Sequence, residues 1–176
     1  MTPEAGKRWP RLLLGSLLFC VGAWLLLSFR DRYVVLLLAG ALLAWQGLPA
    51  GVKARALLLT AAGCLLDFAV AGLGLCRFAG VGALPLWRVV LWLSFSCWWL
   101  RLLDVWRPSP RLLALIGALA GPLACWGGLQ LRALQAGVPL WLLLAALAPL
   151  WAALLAWTPR LLPADERQPG QARDCG

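Results

Sequence analysis

The residues most able to do chemistry in this sequence sit in strongly apolar surroundings. The stretch GCLLDFAVAGLG, residues 63–74, lies inside a run from Leu57 to Leu75 whose single charged residue is Asp67. A carboxyl in such a run can exchange a proton, contact a ligand, pair with a cation or hydrogen-bond a neighbouring helix. Ser94 and Ser96 supply hydroxyls in another apolar run, and Thr60 supplies a third. Histidine is absent. That removes histidine ligation of haem, zinc or copper, and the commonest general base near neutral pH. The six cysteines contain no C-x-x-C pair. Cys20, Cys64, Cys97 and Cys125 fall inside apolar runs, Cys76 at a run's end and Cys175 near the C-terminus. No disulfide framework, metal site or cofactor is expected from them. Neither paired carboxylates nor G-x-S-x-G occurs in the runs, so no residue is assigned a catalytic role.

The elements that must position these groups are transmembrane helices. Of the 176 residues, 62% are hydrophobic and 13% charged. Soluble domains are nearer half apolar and a quarter charged. Six runs approach the ~17–25 residues needed to cross a bilayer. They are Leu12–Phe29, Tyr33–Leu48, Leu57–Leu75, Trp87–Leu103, Leu112–Leu131 and Pro139–Trp157. The expected fold is an all-α polytopic bundle of six spans over residues 12–157. Residues 1–11 form a basic N-terminus and 158–176 a polar, disordered tail. The first run resembles a signal sequence but ends in SFRDR without a small-residue cleavage pattern, so a retained first helix is expected.

Charge sets the expected orientation. Lys7, Arg8, Arg11, Lys53, Arg55, Arg101, Arg107, Arg111, Arg160, Arg167 and Arg173 fall on one side of the alternating spans. The other side holds Arg30, Arg32, Arg77, Arg88 and Arg132. The positive-inside rule puts the first side, with both termini, in the cytoplasm. The net charge of +9 then reads as a topology signal that also favours anionic lipid. No loop is large enough for a nucleic-acid-binding fold. Trp87, Trp106, Trp141 and Trp157 lie at run ends and are expected as interface anchors. Trp24, Trp92, Trp98, Trp99, Trp126 and Trp151 lie deeper, as bulk packing or as the aromatic wall of a cavity.

Counted from Leu57, Asp67 falls roughly 15 Å into its run, near the bilayer centre. Thr60, Gly63, Asp67, Ala71 and Gly74 form one helical stripe. All but Asp67 are small, which suits close helix packing and turns Asp67 into the bundle. A carboxylate facing lipid there would cost about 2.5–3.5 kcal/mol. Pro122 and Pro149 fall at similar depth in the fifth and sixth runs, where each frees a helix carbonyl. Gly117 and Gly121 give the fifth run a G-x-x-x-G contact face. A ligand or proton site of Asp67, Ser94, Ser96, Arg101, Pro122 and Pro149 is therefore expected. Gly63, Gly74, Gly117 and Gly121 are the expected helix-packing positions. Arg101 either reaches up to Asp67 or snorkels to the interface. With no cation in reach, Asp67 would rest as a neutral acid donating to Ser96 or to a freed carbonyl.

GCLLD, LPLWRVVLWLSF and GALAGPLACWGG, in the third, fourth and fifth runs, resemble segments of a family of small bacterial multi-pass membrane proteins. It is the domain-of-unknown-function family numbered 2878, and the resemblance covers roughly Leu12 to Trp157. It implies that Asp67, Trp87, Trp92, Gly121 and Pro122 matter, and that the protein lives in the bacterial inner membrane. The sequence departs from the family at Cys20, where a polar residue often stands. Family genes accompany genes of fatty-acyl lipid modification and envelope stress, which implies a lipid-related role. Three readings follow. One is a non-enzymatic carrier or lipid-handling accessory with a polar pocket around Asp67. The second is a membrane-embedded enzyme, or an accessory subunit, of fatty-acyl lipid modification. The third is a scaffold for another membrane protein. Expected partners are membrane lipids, with a second membrane protein or a second copy of the chain as alternatives.

Overall fold

The computed structural model describes residues 3–161. Six helices follow in order: α1 (Pro3–Phe29), α2 (Val34–Gln46), α3 (Ala50–Gly72), α4 (Leu86–Val105), α5 (Pro110–Gln130) and α6 (Leu140–Trp157). Short strands β1 (Cys76–Phe78) and β2 (Leu134–Ala136) lie in the α3–α4 and α5–α6 connections. All but α2 supply a segment long and apolar enough to cross a membrane, five in total among the described residues. The protein is an all-α, multi-pass integral membrane protein. The expected Tyr33–Leu48 span is the 13-residue α2. At helical rise it covers about 20 Å, short of a ~30 Å hydrocarbon core.

Helix ends and hydropathy ends do not coincide. The third helix begins at Ala50, directly after Pro49 in an extended conformation, and so takes in Lys53 and Arg55. It ends at Gly72, and Gly74 beyond it turns the chain at φ +71°. Gly74 was expected as a packing position within the helix; it is an exposed turn residue instead. Its positive φ suits glycine, the one residue without a Cβ penalty there. Asp67 therefore lies about 7–8 Å from the C-terminal end of α3.

Helix α4 is the hub and packs against α1, α2 and α3. The α5 and α6 helices form a separate, tightly apposed hairpin. Gly117 and Gly121 permit that approach: a Cβ on the first would strike the Trp151 carbonyl, and on the second the Trp151 side chain. Ser109 caps α5 by accepting from the Leu112 amide at 3.3 Å, with Pro110 at the first helical position.

The two halves are laced together at one end of the bundle. Strands β1 and β2 pair antiparallel, with Cys76 opposite Ala136 and Phe78 opposite Leu134. Further bonds run from the Ala79 amide to the Ala133 carbonyl and from the Gly137 amide to the Leu75 carbonyl, both 2.9 Å. From the α1–α2 connection, Arg30 Nη2 donates to the Arg132 carbonyl at 2.6 Å. This end is called the ribbon end below. After α6 the chain continues as a 3-10 turn, Thr158–Leu161, with Thr158 and Leu161 buried. Trp99 Nε1 donates to Thr158 Oγ1 at 3.1 Å. The rest of the expected tail, residues 162–176, lies outside the described residues.

Candidate functional site

The α3–α4 hairpin places three pairs in antiparallel register. Thr60 faces Ser96, Gly63 faces Trp92, and Asp67 faces Arg88. On α4 these positions are spaced by four, which keeps them on one helix face. At the deep end the Thr60 hydroxyl donates to the Ala56 carbonyl at 2.8 Å and hydrogen-bonds Ser96 Oγ at 3.1 Å. In the middle the Trp92 indole lies flat on Gly63, where any Cβ would collide with it. Toward the ribbon, Arg88 forks onto Asp67: Nε donates to Oδ2 and Nη2 to Oδ1, each at 2.7 Å. Trp92 Nε1 adds a third bond to Oδ2 at 2.6 Å.

This ion pair is largely enclosed, with side-chain exposures of 13% for Arg88 and 5% for Asp67. The Arg88 guanidinium stands 4.7 Å from the Phe78 ring centre and 5.6 Å from that of Trp87. Such aromatic flanks favour a cation electrostatically. Trp87 is itself fixed by a 2.8 Å bond from Nε1 to the Ala79 carbonyl in the turn after β1. It was expected at the lipid interface but is fully enclosed. Trp106 and Trp141 are exposed at the ends of their helices, and Trp157 is half-buried.

Several expected partners part company here. Arg101 does not reach Asp67; it is exposed, and its Nη2 donates to the Ala44 carbonyl at 2.8 Å. That carbonyl lies in the last turn of α2, where carbonyls lack helical partners and a cation is favourable. A neutral Asp67 donating to Ser96 is replaced by the bidentate pair, while Ser96 bonds Thr60. Ser94 lines a different cavity. Pro149 is exposed and Pro122 half-buried, and neither borders the Asp67 cavity.

Arg88 was missed because it read as loop charge at a span end. The signal for it was hairpin symmetry. Asp67 is five residues before the end of α3 and Arg88 is the third residue of α4, so an antiparallel pair brings them level.

The ion pair closes one end of a cavity of about 340 Å³. Its walls come from α1 (Phe19, Ala23), α4 (Phe95, Trp98), α5 (Ala120, Ala124) and α6 (Leu147, Trp151), with Cys76 and Leu134 from the ribbon. Trp92 stacks on Trp151 at 5.2 Å and 26°, and Phe19 on Trp98 at 4.7 Å and 4°. Trp92, Trp98 and Trp151 are thus wall residues, whereas Trp24 and Trp126 are exposed and Trp99 is buried. Ala124, an exposed residue of α5, is part of the lining.

Donor accounting defines what this end can bind. Both Asp67 oxygens are engaged, and the Trp92 N–H is spent on them. The pair occupies Arg88 Nε and Nη2, with Nη2 within 2.7 Å of both carboxylate oxygens, which leaves the two hydrogens on Nη1. The polar end of an otherwise aromatic and aliphatic space therefore offers hydrogen-bond donors.

No curated protein and no solved structure matches this chain. A family model does match, over residues 12–157, and that range contains the complete α3–α4 hairpin and every wall of the cavity. The chain belongs to the family described as "Protein of unknown function (DUF2878)".

Proposed function

We propose that this protein is a non-enzymatic carrier or lipid-handling accessory. It holds the apolar chain of an amphiphile in the cavity beside Asp67, with the acceptor-bearing head against Arg88. The observation that carries this reading is a mostly apolar cavity with the Asp67–Arg88 pair at its polar end and the exposed Ala124 in its wall. Small-molecule sites combine an apolar lining with a few placed polar groups in just this way. The head is an ester, carboxylate or phosphate oxygen, since the free valences belong to Arg88. Asp67 acts by orienting the guanidinium and offsetting its charge. Both its oxygens are engaged and the chain has no histidine, which favours binding over hydrolysis. The positive-inside rule places the ribbon end outside the cytoplasm of an inner membrane.

Binding is tested by titrating detergent-purified protein with a terminally brominated fatty acid and following tryptophan quenching. Saturable quenching is expected in the wild type. Ala124→Phe fills the cavity from an exposed position and should remove the saturable component while leaving the unfolding temperature unchanged. Equal saturable quenching in the two proteins would refute the cavity as the site.

A further inference from the structure

A second cavity of about 330 Å³ lies between α1, α2 and α4. It nearly equals the first in volume and abuts it: Phe19, Ala23 and Trp98 line both. The two are staggered along the same pair of helices. The first takes α1 as far as Leu27 and α4 from Arg88, at the ribbon end. The second takes α1 from Leu12 and α4 as far as Arg101, toward the opposite end. Each therefore has one arginine of α4 at its outer limit, and the two arginines stand roughly 20 Å apart by helical rise. Within this shared lining Phe19 stacks on Trp98. Trp98 is held from behind by a 2.9 Å bond from Nε1 to Ser16 Oγ. Phe19 has no polar anchor, and within helix α1 two staggered χ1 wells, near 180° and −60°, are open to it.

We propose that the two cavities are successive stations of one transbilayer passage for a single-chain, acceptor-headed amphiphile, and that Phe19 is its gate. This rests on the binding role proposed for the first cavity. The head exchanges Arg88 for Arg101, which keeps hydrogens beyond its bond to Ala44. The chain passes along the seam between α1 and α4. Rotation of Phe19 off Trp98 joins the two spaces; its return separates them. Small residues on the walls of the second cavity leave room for a chain: a Cβ on Gly15 or Gly40 would meet nothing within 4 Å.

The test uses proteoliposomes carrying a lysophospholipid tagged with a fluorophore at the end of its chain, bleached from outside with dithionite. The wild type should bleach the inner-leaflet pool faster than protein-free liposomes do. Phe19→Ala should raise that rate several-fold. Gly40→Leu, which fills only the second cavity, should return it to the protein-free rate while saturable bromo-fatty-acid quenching persists. A wild-type rate equal to that of protein-free liposomes, or a Gly40→Leu rate equal to wild type, overturns the passage. If quenching shows those proteins still bind at the first cavity, the carrier reading survives without transport. Loss of saturable binding in the wild type would instead remove the reading on which the passage rests.

Discussion

Asp67 and Arg88 are joined by two hydrogen bonds of 2.7 Å, although they stand 21 positions apart in the chain. The intervening residues leave α3, form β1 and return in α4, so the pair locks one helix hairpin at its ribbon end. Trp92 completes the carboxylate's shell one turn deeper along α4. The pair thus ties the hairpin together and forms the polar end of the cavity.

Removing one partner should cost more than neutralising both. Arg88→Ala leaves an enclosed carboxylate with only Trp92 as donor, at a cost of about 3–5 kcal/mol. The double variant Asp67→Asn, Arg88→Gln leaves no charge behind. Its unfolding temperature in detergent should lie above that of Arg88→Ala. The opposite order would mean that the pair does not act as a unit.

The Gly63–Trp92 contact makes a rescue prediction. Gly63→Ala places a methyl within the Trp92 indole, and overpacking of this kind costs about 1–3 kcal/mol. Adding Trp92→Leu should recover part of that loss, although the Asp67 bond from Trp92 goes with the indole. A double-mutant cycle in chemical denaturant checks for this coupling, and strict additivity would refute the contact.

On the α5–α6 hairpin, two glycines one turn apart should behave differently. A Cβ on Gly117 meets the Trp151 main chain, whereas one on Gly121 meets the Trp151 side chain. Shortening that side chain with Trp151→Ala removes the ring but leaves its Cβ, so it should relieve part of the cost of Gly121→Ala and none of that of Gly117→Ala. Thermal unfolding of the three single and two double variants measures this.

Cys76 in β1 is buried at 3% exposure, and burial pushes its thiol up from 9.0 to about 11. Maleimide should label it slowly in the folded protein at neutral pH and readily after denaturation, because the thiolate is the reactive form. Linkage gives the sign of the pH effect. Between about pH 9 and 11 the unfolded chain has released this proton and the folded chain retains it, so stability falls as pH rises. Cys76→Ala should flatten that fall, read as the difference between the two proteins' alkaline denaturation curves.

The sequence by itself determined the solvent, the fold class and the polar stripe. Apolar runs such as Leu112–Leu131 can bury their backbone polar groups in lipid only as helices, so length and composition suffice to assign them. The Thr60, Gly63 and Asp67 stripe was equally legible, because helical periodicity is local. Helix ends were harder to place. Lys53 and Arg55 belong to α3 despite their charge, so the helix starts seven residues before the apolar run that begins at Leu57. Only tertiary structure chose the partners. Arg88 and Arg101 have the same chemistry and lie on the same helix, and their different roles follow from the register of α4 against α3 and α2. Trp87 shows the same limit: its type suits an interface anchor, but the Ala79 turn folds over it. The cavity arises where α1 and the α5–α6 hairpin stand around α4, a spacing set by side chains far apart in the chain and so invisible to any local pattern.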